Sequence, residues 1–403
     1  MPAMGSSPRI RRIRVTNLFG IFDHDIPLNL DERITILHGP NGYGKTALLR
    51  MLDALFGGQW GRLSAVPFDE FSVEFADGRT LGVERTVELV EEPQDEELRM
   101  LPRLLMSCEG APRMHWPGRR PKKDGKRRRR VPIAQWLAAA GRGLTARLVE
   151  THRLQVPTEQ ASNEPAVEAH SRELVEIIAK NLATYASRSQ ELDSSFLDRL
   201  YQQTPETLLR LDEIEARLRH LEEKRAQLIQ LGILDPERAP HKGPPRIEES
   251  KRDVLTVYVQ DTESKLAVLE DLSRRIQLLA ECVNRRFPYK QMSVSRKDGL
   301  VFRSLVNDAV LPLGSLSSGE QHEIVLLYEL LFKVPPGSLV LIDEPEISLH
   351  LAWQSQFLDD LTQMVSLGGY DVLIATHAPA IINDRWDLTV ELKGPELPKV
   401  AAE

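Results

Sequence analysis

The chain has 403 residues, a net charge of −7, 41% hydrophobic residues and 28% charged residues. This length is sufficient for two or three domains, and the composition excludes a disordered polymer, a fibrous repeat and a small disulfide scaffold. No window approaches the roughly eighteen apolar residues of a membrane span, so we expect a cytoplasmic protein without a membrane partner. Cys108 and Cys282 lack companions at ligand spacing, which predicts buried thiols rather than a disulfide or a zinc site.

Strands and one helix are predicted in the first hundred residues. Polar and apolar residues alternate in short runs from Arg11 to Leu37, and the last run ends in a glycine-rich turn. Apolar residues then recur at helical spacing from Thr46 to Phe56. The pair Asp77-Gly78 predicts a strand hairpin, because both residues tolerate the positive φ of a tight turn. We interpret this region as a mixed sheet around one helix.

The segment from Gly118 to Arg130 is strongly basic. It holds nine Lys or Arg residues against one Asp, a charge of +8, which leaves −15 for the rest of the chain. Three interpretations stay open: a solvated loop, contact with nucleic-acid phosphates through Arg119–Arg130, or docking onto an acidic partner or the chain's own acidic stretch at 87–97. A helix and an apolar strand are predicted next, between 133 and 154.

Two apolar seams with heptad-like spacing lie in the charged region between 165 and 283. The first consists of Leu211, Ile214, Leu218, Leu221, Arg225 and Leu228, and the second of Leu269, Leu272, Ile276, Leu279 and Val283. The segment 233–246 between them is rich in Pro and Gly, which predicts a break and a chain reversal. We expect an antiparallel helical hairpin that forms a short arm. Amphipathic helices packed on a globular core are the alternative.

Strands and helices alternate after Phe287. This order is typical of a parallel sheet covered by helices on both faces. The chain therefore begins and ends in α/β structure, and we expect its two ends to form one split head. The predicted division is an N-terminal lobe at 1–160, a helical insertion at 161–284 and a C-terminal lobe at 285–403.

The segment GPNGYGKT matches the phosphate-loop pattern G-x-x-x-x-G-K-[ST]. Its residues are Gly39, Pro40, Asn41, Gly42, Tyr43, Gly44, Lys45 and Thr46. The glycines would let backbone N–H groups face phosphate oxygens, Lys45 would reach the β- and γ-phosphates, and the Thr46 hydroxyl would bind Mg²⁺. An ordinary glycine-rich turn is the alternative, but the position between a predicted strand and a predicted helix favours the phosphate loop.

Candidate catalytic residues follow two predicted strands near the end of the chain. Asp343 and Glu344 come after an apolar run, at the carboxyl edge where open α/β sheets bind ligands. We predict that Asp343 holds Mg²⁺ and that Glu344 is the general base for water, although adjacent carboxylates also begin helices. His377 follows another strand in the same way, which favours a γ-phosphate contact over a bland surface histidine.

The segment LSSGEQH, at 316–322, begins a predicted helix. Its serines and glycine are compatible with a simple N-cap. They could also present hydroxyls, a backbone N–H and the helix dipole to an anion. The residues alone do not identify that anion.

Taken in order, GPNGYGKT, LSSGEQ, LIDEP and ATHAP resemble the motifs of ABC-type ATPase heads of the SMC/RecF/OLD superfamily, over about 10–155 and 285–392. LSSGEQHEIVLLYELLF and LIDEPEISLHLAWQ more closely resemble AAA-family ATPases of bacterial antiphage systems of the Septu, retron-associated PtuA and PARIS types. The resemblance implies an α/β fold: a P-loop NTPase head of the ABC type, with a mixed β-sheet, flanking helices and an inserted short helical or coiled-coil arm. It also implies ATP and Mg²⁺ as cofactors.

The resemblance further implies roles for single residues. Lys45, Glu344 and His377 would be catalytic, and Thr46 and Asp343 would bind the metal. The signature residues would bind the nucleotide held by a second copy, in an ATP-dependent homodimer or a larger homo-oligomer; they are Ser317, Ser318, Gly319 and Glu320.

Three further implications concern less regular positions. The segment from Ile347 to His350 matches the loop that crosses such a dimer interface. His152 stands where these ATPases carry a Gln or Asn that senses Mg²⁺ and water, with Gln155 three residues later. No cluster of carboxylates occurs among the 26 residues after His377, so we do not expect an intrinsic nuclease of the OLD type.

The favoured hypothesis is therefore an ATPase that senses an invader or restrains a partner effector, such as a nuclease or a toxin, in antiphage defence. One alternative is a scaffold assembled by slowly hydrolysed ATP. Another is a RecF-like DNA-repair ATPase that binds DNA through the basic segment. Mass measurements with and without ATP distinguish the scaffold, and DNA binding after neutralisation of Arg127–Arg130 distinguishes the repair ATPase.

Overall fold

The structure is a computed structural model, and it describes residues 8–91, 98–108, 111–116, 144–149, 165–204, 207–235, 248–347 and 349–395. The basic segment, the helix predicted after 133, His152 and Gln155 lie outside the described residues. Contacts divide the chain into two compact units. The first is Met1–His152 with Lys333–Glu403, and the second is Arg153–Phe332.

The strands are β1 (Ile10–Leu18), β2 (Phe22–Pro27), β3 (Ile34–His38), β4 (Glu70–Phe75), β5 (Thr80–Glu91), β6 (Leu98–Cys108), β7 (Ala111–Trp116), β8 (Ala146–Val149), β9 (Lys290–Ser295), β10 (Gly299–Ser304), β11 (Val310–Leu311), β12 (Leu339–Asp343), β13 (Asp371–Ala375) and β14 (Thr389–Glu391).

The α-helices are α1 (Lys45–Phe56), α2 (Trp60–Ala65), α3 (Ala166–Ser194), α4 (Phe196–Tyr201), α5 (Leu211–Gln230), α6 (Arg252–Ala267), α7 (Glu270–Arg286), α8 (Ser318–Tyr328), α9 (Leu351–Gln354), α10 (Phe357–Gly368) and α11 (Pro379–Ile382). Short 3-10 turns lie at Glu249–Lys251, Leu313–Ser315, Pro345–Ile347 and Trp386–Leu388, and a π-helical turn at Glu329–Lys333. Within the described residues, no helix is both long and apolar enough to cross a membrane.

The first unit contains two sheets. One is antiparallel, with the order β2-β1-β4-β5-β6-β7, and the other is parallel, with the order β14-β3-β13-β12-β8. The strands predicted in the first hundred residues therefore belong to two sheets rather than one. The reason is that β3 pairs with β13 and β14, which come from the other end of the chain, and local alternation does not reveal such a distant partner.

Helix α1 packs against the parallel sheet. Leu48, Leu52 and Leu55 are completely buried, and they recur every three or four residues along one face of the helix. Burying each leucine contributes about 1.5–3 kcal/mol. Because α1 packs on the sheet that contains β3, the turn that connects β3 to α1 is held at the carboxyl edge of that sheet.

The prediction of an antiparallel helical hairpin in the second unit was wrong. The Leu209 N–H donates to Thr256 Oγ1 at 3.3 Å, and Lys224 Nζ lies 4.0 Å from Glu270 Oε1. An Arg217–Glu263 pair at 3.3 Å lies between these contacts. Residue numbers rise together in both segments, so α5 runs parallel to α6 and the start of α7. Heptad spacing shows which face is buried but not the direction of the partner helix.

The two predicted seams are largely buried. In α5, Ile214, Leu221 and Leu228 are at most 5% exposed, seven residues apart, whereas Leu218 and Arg225 between them are half-buried. Every residue of the second seam is buried. An ion pair between Arg286 of α7 and Glu323 of α8 is also buried in this unit.

The units do not end at the predicted domain boundaries. Strands β9–β11 and helix α8 group with the helical unit, although the sequence placed 285–332 in the C-terminal lobe. The helix predicted to begin within 316–322 is α8, which is followed by the π-helical turn. The three-part division into functional lobes stays a prediction.

Candidate nucleotide site

The predicted phosphate loop connects β3 to α1, which begins at Lys45. Gly39, Gly42 and Gly44 have φ values of +147°, +87° and +90°, a region that favours glycine. A Cβ on Gly44 would lie 2.6 Å from Leu18 Cδ2, and a Cβ on Gly39 would lie 2.9 Å from the Leu392 carbonyl oxygen. Side chains at these two positions would therefore collide with Leu18 and Leu392, so this loop conformation depends on glycine there.

Gly44→Ala is expected to lower the free energy of unfolding by about 2–6 kcal/mol, because backbone strain and overpacking each cost about 1–3 kcal/mol. Gly42→Ala is the matched control. Its φ is also positive, but among the described residues no atom lies within 4 Å of the added Cβ. Denaturant unfolding of both variants tests this, and an equal loss for the two would contradict the proposed contact with Leu18.

A histidine in β2, His24, contacts the phosphate loop at Tyr43. His24 Nε2 lies 2.9 Å from the Tyr43 carbonyl oxygen, to which it can donate a hydrogen bond. The ring of Phe22 stacks on His24 and contacts the ring of Tyr43, with centroids 5.7 and 5.2 Å apart. Burial lowers the pKa of His24, which favours the neutral ring. No motif in the sequence indicates this support, because β2 is recognisable there only as an alternating strand.

Lys45 is buried within the loop. Its Nζ donates to the Gly39 and Pro40 carbonyl oxygens at 2.6 and 3.0 Å. Burial lowers the pKa of Lys45, and the negative charges of Glu344, Glu346 and Asp343 oppose this shift. The ammonium group thus lies in the field of three carboxylates.

Thr46 and Asp343 meet although they are 297 positions apart in the chain. Thr46 Oγ1 donates to Asp343 Oδ1 at 3.0 Å. Burial raises the pKa of Asp343, and the Thr46 hydrogen bond opposes that shift. A hydroxyl and a carboxylate side by side fit Mg²⁺, which typically takes one or two protein oxygens and keeps several waters.

Glu344 has an unusual backbone for a residue with a side chain. Its φ is +46°, and its N–H donates to the Ala375 carbonyl oxygen of β13 at 2.8 Å. A conformation of this kind costs about 1–3 kcal/mol and is typical of functional sites. The Glu344 side chain is 29% exposed, and its Oε1 lies 3.7 Å from His377 Nδ1. The structure therefore brings together Glu344 and His377, as the sequence predicted.

Glu346 was missed by the sequence analysis. It lies in the 3-10 turn after Glu344 and is only 8% exposed. Its Oε1 accepts hydrogen bonds from Thr376 Oγ1 and the His377 N–H, at 2.8 and 3.1 Å. His377 Nδ1 lies 3.0 Å from the same oxygen. Glu346 thus joins the turn after β12 to the turn after β13.

The predicted signature residues lie in the second unit, at the start of α8. Ser317 is the N-cap, and with Glu320 it forms a capping box. Glu320 also pairs with Lys290 Nζ at 2.7 Å. Ser318 is exposed, and no described atom approaches within 4 Å of a Cβ built on Gly319. Ser318 and Gly319 are therefore accessible at this helix start, whereas the hydroxyl and the N–H of Ser317 are hydrogen-bonded to Glu320.

Comparisons with known proteins agree with this arrangement. A model of the AAA domain matches residues 12–282, which is more than half of the chain. A second model, described as an AAA domain, putative AbiEii toxin and type IV TA system, matches residues 184–383. The OLD nuclease of Thermus scotoductus is 22% identical over 373 residues; these are 92% of this chain but 59% of the relative's length.

Among solved structures, an Smc head domain from Pyrococcus furiosus, bound to the C-terminal domain of ScpA, is 14% identical. The match covers 93% of this chain and 91% of that chain, with a TM-score of 0.38. An SMC head domain from Thermotoga maritima is 10% identical and matches over 93% and 92% of the two chains, with a TM-score of 0.36.

The predicted fold class is confirmed. The phosphate loop between β3 and α1, the carboxylates after β12 and the histidine after β13 all lie at one edge of a parallel sheet. The chain belongs to the AAA-domain family, with the ABC-type head of the SMC/RecF/OLD superfamily.

Proposed function

We propose that the protein binds ATP with Mg²⁺ and hydrolyses it to ADP and phosphate. The observation that carries this proposal is the hydrogen bond between Thr46 and Asp343, which joins the phosphate loop to the end of β12. Glu344 and His377 follow β12 and β13 at the same sheet edge. Phosphoryl transfer to water requires hydrogen-bond donors for the phosphates, a metal site and a base. We propose that these residues supply all three.

Each side chain has a proposed role in this reaction. Bound Mg²⁺ would offset negative charge on the phosphates. Thr46 and Asp343 would hold the metal, and Lys45 would exchange its loop carbonyls for phosphate oxygens. Glu344 would take a proton from water as the water oxygen bonds to the γ-phosphorus and the bond to the bridging oxygen breaks. His377 would hold the γ-phosphate.

The second part of the proposal is a head-to-tail homodimer or a larger homo-oligomer. Ser317, Ser318 and Gly319 lie at an open helix start, where N–H groups and the helix dipole favour an anion. We propose that this anion is the γ-phosphate held by a second copy. Such a dimer would contain two equivalent composite sites, as two-fold symmetry requires.

The biological role that we propose is control of an effector, such as a nuclease or a toxin, in antiphage defence. This role is supported by the resemblance of the motifs to the ATPases of such systems. Contact with nucleic acid through Arg119–Arg130, a sensing role for His152 and a cytoplasmic location stay predictions. A RecF-like repair ATPase and a scaffold with little turnover are the alternatives.

Phosphate release and mass measured together test the proposal. We expect Mg²⁺-dependent ATP turnover and a shift from monomer to dimer or larger oligomer on addition of ATP. A large oligomer whose mass does not change on addition of ATP, and which releases no phosphate, would favour the scaffold. Salt-dependent DNA binding that is lost on neutralising Arg127–Arg130 would favour the repair ATPase.

A further inference from the structure

Glu346 is the most enclosed carboxylate beside the proposed reaction centre. Its Oε1 lies within hydrogen-bond distance of Thr376 Oγ1, the His377 N–H and His377 Nδ1. Its Oε2 is buried and has no hydrogen-bond partner among the residues that the structure describes. Burying a carboxylate costs free energy, and an oxygen without a hydrogen-bond partner adds to that cost. A function in the site would explain why Glu346 is nevertheless buried against this loop.

Two carboxylates compete for the same ring nitrogen. His377 Nδ1 lies 3.0 Å from Glu346 Oε1 and 3.7 Å from Glu344 Oε1. The shorter distance places Glu346 Oε1 in ion-pair contact with the ring, and Glu344 Oε1 lies farther from the same nitrogen. A carboxylate at Nδ1 fixes the proton on that nitrogen, and it also fixes the orientation of the ring.

We propose that Glu346 is a positioning residue that holds His377 at Nδ1 and so keeps the Glu344 carboxylate free to accept a proton from water. This inference rests on the proposed hydrolysis. It assigns to Glu346 no contact with substrate. Its proposed effect on the base passes through the imidazole of His377, and its charge also contributes to the field at Lys45.

The consequence of removing Glu346 follows from the distances. Without that carboxylate, Glu344 Oε1 is the other carboxylate oxygen near His377 Nδ1 within the described residues. A hydrogen bond from the ring would then occupy the proposed base. Glu346→Ala is expected to lower kcat by about 10- to 100-fold, with little change in KM for ATP. A loss of this size is usual when the residue that holds a functional histidine in place is removed.

A double-mutant cycle tests whether Glu346 acts through His377. In a His377→Ala background, Glu346→Ala should cause almost no further loss of kcat, because the two changes remove one interaction. Glu346→Gln keeps the shape and an acceptor oxygen, so it should recover most of the activity. Thr376→Val is the control, because it removes the hydroxyl that donates to Oε1 and accepts from the Ala378 N–H but leaves the contact between Glu346 and the His377 ring. Equal losses from Glu346→Ala in both backgrounds would overturn the proposal.

A measurement without turnover separates this inference from the hydrolysis proposal. In a ¹⁵N–¹H spectrum of the imidazoles, the His377 signal, assigned with His377→Ala, should show a protonated Nδ1. It should move in Glu346→Ala and stay in place in Glu344→Gln. A signal that responds to Glu344→Gln but not to Glu346→Ala would overturn the inference. The expected spectrum from a protein that releases no phosphate would reject hydrolysis but retain the positioning contact.

Discussion

Glu344→Gln should reduce ATP turnover by about 10²- to 10⁴-fold, the range expected when a general base is removed. The glutamine has the same shape, but it cannot take a proton from water. Since Lys45, Thr46 and Asp343 are unchanged, the variant should still bind ATP with Mg²⁺. It should also accumulate as the ATP-bound dimer, because the step that would release it is blocked. Phosphate release, nucleotide binding and mass measure these effects.

The matched control is Glu391→Gln. Glu391 is also in the first unit, but it is an exposed residue of β14 whose nearest charged partner is Lys393, 3.9 Å away. This variant should hydrolyse ATP at the normal rate. Normal turnover by Glu344→Gln itself would reject Glu344 as the base.

Lys45→Ala should weaken ATP binding by about 10- to 150-fold, since hydrogen bonds to charged groups contribute about 1.5–3 kcal/mol. Lys45 is buried in the loop, and its ammonium group already donates to two loop carbonyls. Phosphate oxygens offer the same group charged acceptors in place of those carbonyls. Turnover should fall with binding, and titration calorimetry measures the affinity directly.

Lys393→Ala is the control for this variant. Lys393 lies in the same unit but its side chain is 79% exposed, so its removal should leave the affinity for ATP unchanged. An unchanged affinity in Lys45→Ala would contradict the assignment of residues 39–46 as the phosphate loop. A similar loss of ATP affinity in Lys45→Ala and in Lys393→Ala would indicate that removing any positive charge from this unit weakens binding.

The sequence predicted the parts of the site that depend on local patterns. The loop at 39–46, the carboxylates at Asp343 and Glu344 and the histidine at His377 each follow an apolar strand, and the structure has β3, β12 and β13 at these positions. Because parallel strands place their carboxyl ends at one edge, local patterns were enough to bring these residues together.

The residues that sequence missed act through distant contacts. His24 reaches the Tyr43 carbonyl from β2, and Glu346 reaches Thr376 and His377 across two strands. Neither has a motif of its own. A second carboxylate two residues after Glu344 was the only available signal for Glu346, and it reads equally well as an exposed turn residue.

In the helical region, the sequence likewise predicted the buried face of a helix but not its partners. The spacing of Ile214, Leu221 and Leu228 correctly identified the buried face of α5. The parallel direction of α6 is seen from pairs such as Arg217 with Glu263, whose partners cannot be read from periodicity. The grouping of α8 with the helices likewise depends on contacts such as Arg286 with Glu323.

The central claim is that two copies complete one site, and mixing two inactive variants tests it most directly. Lys45→Ala disables the phosphate loop. Gly319→Asp places a negative charge at the start of α8, where no described atom of the same chain would meet the added Cβ. An acidic residue is also favourable in the first turn of a helix, so the fold should be retained. At an ATP concentration that saturates the unchanged protein but not Lys45→Ala, each variant alone should show almost no turnover.

In a mixed dimer, one site would combine the intact phosphate loop of one copy with the intact signature of the other. The account predicts that the mixture regains ATP turnover although neither variant has it alone. A mixture as inactive as the separate variants, or normal turnover by Gly319→Asp alone, would contradict a composite site.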